Sequence, residues 1–96
     1  MTQTIAEIGT IYFLMGKLDS SMTYSRRALK YVNLSDGKTN VGQILYTIGI
    51  VYYRKNQLDS AREYYTKALS ASKAQNNIST KIRIYFGFAR LYEKQP

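Results

Sequence analysis

The chain repeats itself at a spacing of 40 residues. Ile8-Gly9-x-x-Tyr12, Leu18-Asp19-Ser20, Tyr24 and Ala28-Leu29 return as Ile48-Gly49-x-x-Tyr52, Leu58-Asp59-Ser60, Tyr64 and Ala68-Leu69. Nine identities in 22 aligned positions stand against roughly one or two for unrelated segments of ordinary composition. A further step of 40 reaches Tyr85, Phe88, Ala89 and Tyr92, which match Leu45, Ile48, Gly49 and Tyr52 in character. A unit of this length buries its apolar face only against its neighbours, so the period dictates a stacked array. Arrays of this kind usually bind peptides or proteins. The third unit stops after one helix's length, and the chain therefore reads as a piece of a longer protein.

Within each unit the apolar spacing is helical. The only proline is Pro96, so nothing interrupts a helix before the C-terminus. Ile5, Ile8, Gly9, Tyr12 and Phe13 recur at three- and four-residue steps and predict a helix over about 2–15, ended by Gly16-Lys17. Asp19 and Ser20 stand where an N-cap is wanted. Met22, Tyr24, Ala28, Leu29 and Val32 carry the second stripe to about Leu34, before the turn Ser35-Asp36-Gly37. A third helix is predicted over about 39–55 and a fourth over about 59–75, opening with the capping-box spacing Ser60-x-x-Glu63. Asn76-Asn77 breaks the chain again, and Ser79 or Thr80 caps a last helix to about Lys94. The expected fold is all-α: repeat 1 over about 2–37, repeat 2 over about 39–77, and the first helix of a third over about 79–94.

Two mid-helix glycines need a reason, since each costs about 0.5–1 kcal/mol against alanine. Close helix approach at Gly9 and Gly49 supplies one, with Ala89 as the third equivalent and Ala28 and Ala68 as the small residues opposite. Tyr12, Tyr52 and Tyr92 then read as interface rings with their hydroxyls turned outward.

Composition excludes more than it selects. The 14 basic residues against 6 acidic ones give a net charge of +8. They are scattered, however, with the densest group at Arg26, Arg27 and Lys30. A solvated helix face explains them, and an anionic partner is the sharper alternative. An acidic peptide fits better than nucleic acid, because no nucleic-acid motif is present. With no cysteine and no histidine, disulfides and cysteine- or histidine-ligated zinc are impossible. Glu7, Asp19, Asp36, Asp59, Glu63 and Glu93 form no acid–base pair, and the isolated glycines make no phosphate loop. No enzyme activity, cofactor or metal is expected. The longest apolar run, near Ile48–Tyr53, is too short to cross a membrane. Residues 1–7 lack the blocks of a signal peptide, and a cytoplasmic location is expected.

Leu45-x-x-Ile48-Gly49-x-x-Tyr52, followed by Ala61-x-x-x-Tyr65 and Ala68-Leu69, resembles the tetratricopeptide repeat. The first unit matches through Ile5, Ile8, Gly9, Tyr12, Gly16, Ala28 and Leu29 but carries Ser21 and Ser25 at the later alanine and aromatic places. The usual unit has 34 residues and a proline after its second helix; here the period is 40 and that proline is missing. The resemblance implies a short right-handed α-solenoid of helix-turn-helix units that acts as a non-catalytic protein-binding scaffold. Its concave groove would be lined by the first helix of each unit. By phase those positions are Gln3, Ala6, Thr10 and Phe13; Gln43, Tyr46, Thr47, Ile50, Tyr53 and Arg54; and Arg83, Phe86 and Arg90. The alternative is the sensory or dimerising region of a bacterial transcriptional regulator or sensor kinase. The clamp that some members close on chaperone tails would fall on Ala6, Thr10, Thr47, Arg83 and Gly87, where only Arg83 suits it.

The last predicted helix is apolar around most of its circumference, with Ile82, Ile84, Tyr85, Phe86, Phe88, Leu91 and Tyr92. One side can pack on the preceding pair. The other predicts self-association, by a two-fold pair of these helices or a head-to-tail stack.

Overall fold

The computed structural model describes residues 2–32 and 39–94, and these form five helices. They are α1 (Thr2–Leu14), α2 (Leu18–Lys30), α3 (Val41–Arg54), α4 (Leu58–Ala74) and α5 (Ile78–Lys94). Three-residue turns at 15–17, 55–57 and 75–77 fold α1 onto α2, α3 onto α4, and α4 onto α5. This is the all-α repeat that the 40-residue period requires.

The three tight turns share one chemistry. Gly16, Asn56 and Asn76 take left-handed backbone angles, with φ of 78°, 63° and 53°. Glycine does so without strain, and asparagine is the commonest substitute. At each turn two amides close the preceding helix. Gly16 N donates to Phe13 O and Lys17 N to Tyr12 O, both at 2.9 Å; forty residues on, Asn56 N and Gln57 N do the same to Tyr53 O and Tyr52 O at 3.0 and 2.9 Å. Asn76 N and Asn77 N repeat the pattern on Lys73 O and Ser72 O.

These turns correct three expected starts. The N-cap places fall on Lys17 and Gln57, whose backbones are not helical (ψ 81° and 77°) and whose side chains make no cap bond, so α2 and α4 begin at Leu18 and Leu58 without a side-chain cap. Asp19 lies inside α2's first turn and pairs with Lys55 at 2.6 Å, which lowers its pKa. Ser60 lies inside α4, so no capping box forms, and Glu63 instead faces Lys67 at 3.9 Å. In α5 the cap is Asn77, whose Oδ1 accepts from Thr80 N at 3.0 Å, and not Ser79 or Thr80. Asn40 caps α3 in the same way through Gln43 N. α2 closes at Lys30, short of the expected Leu34, in a last turn tightened by i to i−3 bonds from Tyr31 N to Ala28 O and Val32 N to Leu29 O. Leu34 and the Ser35-Asp36-Gly37 turn lie outside the described residues.

Packing centres on Tyr65 of α4, which is 1 % exposed. Its ring stacks on Tyr46 of α3 at 5.5 Å between centroids and meets Phe88 of α5 edge-on at 5.6 Å. A Cβ at Gly49 would lie 2.7 Å from that ring, so the glycine is what lets α4 reach α3. Gly9 does the same for α1, where a Cβ would come within 2.6 Å of Ser25 Oγ. Ser25 thus fills the place of Tyr65 in the first unit. The expected third small residue is corrected: Ala89 is exposed, and Gly87 makes the close approach, where a Cβ would lie 2.9 Å from Tyr46 and 3.1 Å from Tyr65. Thr80, Ile84, Gly87 and Leu91 form the buried face of α5, against α4 and α3. Ile44 and Ile48 join Ala6 and Ala28 to close the boundary between the first two units.

Candidate functional site

The first helices of the units, α1, α3 and α5, line one side of the array, and hydrogen bonds run between them in register. Asn40 Nδ2 donates to Thr80 Oγ1 at 2.9 Å, and Arg83 Nη1 donates to Gln43 Oε1 at 3.0 Å, each pair 40 residues apart. Gln3 Oε1 accepts from Asn40 N at 3.2 Å and ties α1 into the same row. Above these bonds lies an open cleft of about 450 Å3, bounded by Gln3, Glu7, Thr10, Ile11, Asn40, Gln43 and Arg83. The carboxamides of Gln3, Asn40 and Gln43 are engaged by backbone amides, threonine hydroxyls and Arg83, which fixes the floor of the cleft. One of the five N–H donors of Arg83 makes the bond to Gln43.

Tyr46 continues the surface beyond Gln43. Burial raises its pKa, and the Arg90 and Arg83 guanidiniums oppose that rise, so both cations lie within electrostatic reach of its ring. Phe13 and Tyr53 are half-buried and each carries a cation from the next unit: Arg54 stands 5.6 Å above Phe13 and Lys94 stands 4.8 Å above Tyr53. These two pairs repeat the 40-residue phase, and they engage Arg54 within the chain.

The sequence-derived positions therefore divide. Gln43 and Arg83 share the cleft; Tyr46 and Arg90 adjoin it; Phe13, Tyr53 and Arg54 belong to the cation–aromatic pairs. Thr47 is only 3 % exposed, with its hydroxyl donating to Gln43 O at 2.9 Å, and Ile50 packs on the core. Phe86 is 66 % exposed and lines a separate hollow with Ile82, Tyr85 and Ala89. Glu7, Ile11 and Asn40 were not among the residues the sequence pointed to. Glu7 could have been found, since it follows Gln3 by four residues and precedes Thr10 by three on one helix face.

On the opposite helices the basic residues lie over aromatic rings. Arg27 covers Tyr24 at 5.1 Å and Lys67 covers Tyr64 at 4.9 Å, again 40 residues apart. Arg26 lies about equally far from Tyr52 and Tyr64 and donates to the Tyr52 hydroxyl. Among the described residues no acidic cluster is built to hold a metal ion, and no helix is long and apolar enough to cross a membrane. The side chains lining the cleft offer hydrogen-bonding groups, one carboxylate, Glu7, and one guanidinium, Arg83.

No curated protein matches this chain. The sequence profile described as tetratricopeptide repeat matches residues 1–74, from α1 to the end of α4. With two complete helix pairs, the Gly-x-x-Tyr pattern in phase in both, and a profile match over most of its length, the chain belongs to the tetratricopeptide repeat family.

Proposed function

We propose that this chain is a non-catalytic scaffold that holds an acidic segment of a protein partner along the face formed by α1, α3 and α5. Tetratricopeptide repeats are in general protein-interaction modules, and the finer reading rests on the cleft bounded by Gln43 and Arg83 with Arg90 beside it. The bond that Arg83 donates to Gln43 Oε1 holds the guanidinium in place, so a carboxylate docking there meets a donor already oriented. Arg90 adds a second cation close to the Tyr46 ring. Glu7, at the α1 wall of the cleft, gives direction: the acidic part of a bound segment lies toward α5 and a basic residue, where the segment has one, toward α1.

An array of short peptides graded in net charge tests this. Acidic peptides are expected to bind and neutral or basic ones not. Arg83→Glu together with Arg90→Glu, both on exposed residues, should weaken the bound peptides at least tenfold with helicity unchanged. Binding that survives this change but is lost on Arg26→Glu with Lys30→Glu would move the site to the α2 and α4 side.

A further inference from the structure

We propose, on the acidic-segment reading above, that the segment binds as an amphipathic α-helix along the furrow between α3 and α5, with two carboxylates seven residues apart and an apolar side chain between them. The two helices of that furrow run side by side in the same direction, as three contacts in order show. Arg83 donates to Gln43 at 3.0 Å, a Cβ at Gly87 would lie 2.9 Å from the Tyr46 ring, and Lys94 stands 4.8 Å above the Tyr53 ring. From residue 83 to residue 94 the furrow is roughly 16 Å long. A channel between two helices that share a direction is a seat for a third, the helix-in-groove mode of recognition.

The spacing of the cations selects the conformation of the occupant. Arg83 and Arg90 are both exposed and stand seven residues apart on α5. Seven residues rise about 10.5 Å and return to within about 20° of the starting direction, so both guanidiniums stand on one face. Gly87 lies between them and carries the half-buried Tyr46 ring, with both cations within electrostatic reach of it. The order along the furrow is cation, ring, cation.

Its complement is acid, apolar, acid. A helix presents that order on one side at i, i+3 or i+4, and i+7. An extended chain does not. Carboxylates two residues apart there lie about 7 Å from one another, and four residues apart about 13 Å. Three residues give about 10 Å but point the two side chains to opposite faces. The bond to Gln43 fixes the Arg83 end, so the spacing does not adjust freely to other ligands.

Three synthetic alanine–glutamine peptides, each about 18 residues long so that a helix can form, test this by titration against the isotope-labelled chain at low salt. Each carries two Glu and one Leu. The first has its Glu seven residues apart with Leu between, the second has them five apart, and the third is the first with a central proline. The first should bind at least tenfold more tightly than the others, shift the amides around Tyr46, Arg83 and Arg90, and show helical contacts when bound. Arg90→Glu should weaken it at least tenfold, and changing one Glu of the peptide to Lys, at one end only, should restore it. Equal binding of all three peptides, or tightest binding of the proline peptide, would overturn the helix and leave the acidic-segment reading standing. Failure of every acidic peptide to bind would overturn both.

Discussion

Tyr65 of α4 packs on both α3 and α5, and the residues around it show how little room the fold leaves. Gly49 and Gly87 face it from α3 and α5, and no flexible side-chain end is available to yield, only ring atoms. Gly87→Ala should therefore destabilise the chain by about 1–3 kcal/mol through overpacking, against the gain of up to ~1 kcal/mol that alanine brings to a helix interior. A urea midpoint at or above wild type would show that the rings can move aside. Burial, with Tyr46 and Tyr53 adding to it, also pushes the Tyr65 hydroxyl well above the ordinary tyrosine range. The unfolded chain then releases its proton first, so this group's stability is whole below about pH 10 and is lost as pH rises beyond it. Melting temperatures should fall from about pH 9 to pH 11, and Tyr65→Phe should flatten the fall. Gly9 and Gly49 were legible in the sequence because both stand in phase before a tyrosine. Gly87 was not, because it sits two residues out of that phase and serves the other side of its helix.

At the level of the helices, type and order were legible throughout, while the starts were not. Ser60-x-x-Glu63 has the right spacing for a cap, but a cap has value only where the chain enters a helix from an extended conformation. That entry falls at Gln57, three residues before Ser60, and its side chain makes no cap bond, so Ser60 already lies inside α4 with nothing to cap. Asn40 and Asn77 are the caps in use, and they are not equivalent. Asn77 accepts one bond from Thr80 N, whereas Asn40 caps Gln43 N, donates to Thr80 Oγ1 and bonds Gln3 through its own amide. Asn77→Ala should cost about 1 kcal/mol, and Asn40→Ala should cost more because it also unties α3 from α5. Equal losses in denaturant titrations would mean that the Asn40–Thr80 bond contributes nothing.

Across the whole molecule the period was legible and the pairing of its charges was not. A row of Arg and Lys on a helix reads the same whether it faces water, an aromatic ring or a carboxamide of the next unit. Arg54 is engaged by Phe13 and Lys94 by Tyr53, whereas Arg83 is only oriented through one N–H on Gln43. The groove read from phase alone was accordingly too generous: Thr47 is buried, and Phe86 belongs to the free side of α5.

The aromatic–cation pairs bear on how such a protein can lengthen. Phe13 meets Arg54 across the first boundary, and Tyr53 meets Lys94 across the second. The second unit thus offers both a ring forward, Tyr53, and a cation backward, Arg54, so it can adjoin a copy of itself. A tandem duplication of residues 41–80 would set Tyr53 of the original against Arg54 of its duplicate, and Gln43 against a second Gln43, with no like charges opposed. The elongated chain should fold with one more helix pair and melt higher than its parent, as expected when stability grows by nearest-neighbour terms; a lower melting temperature would show that these joints fit only their present neighbours. Gene duplication could extend this scaffold without inventing a new joint.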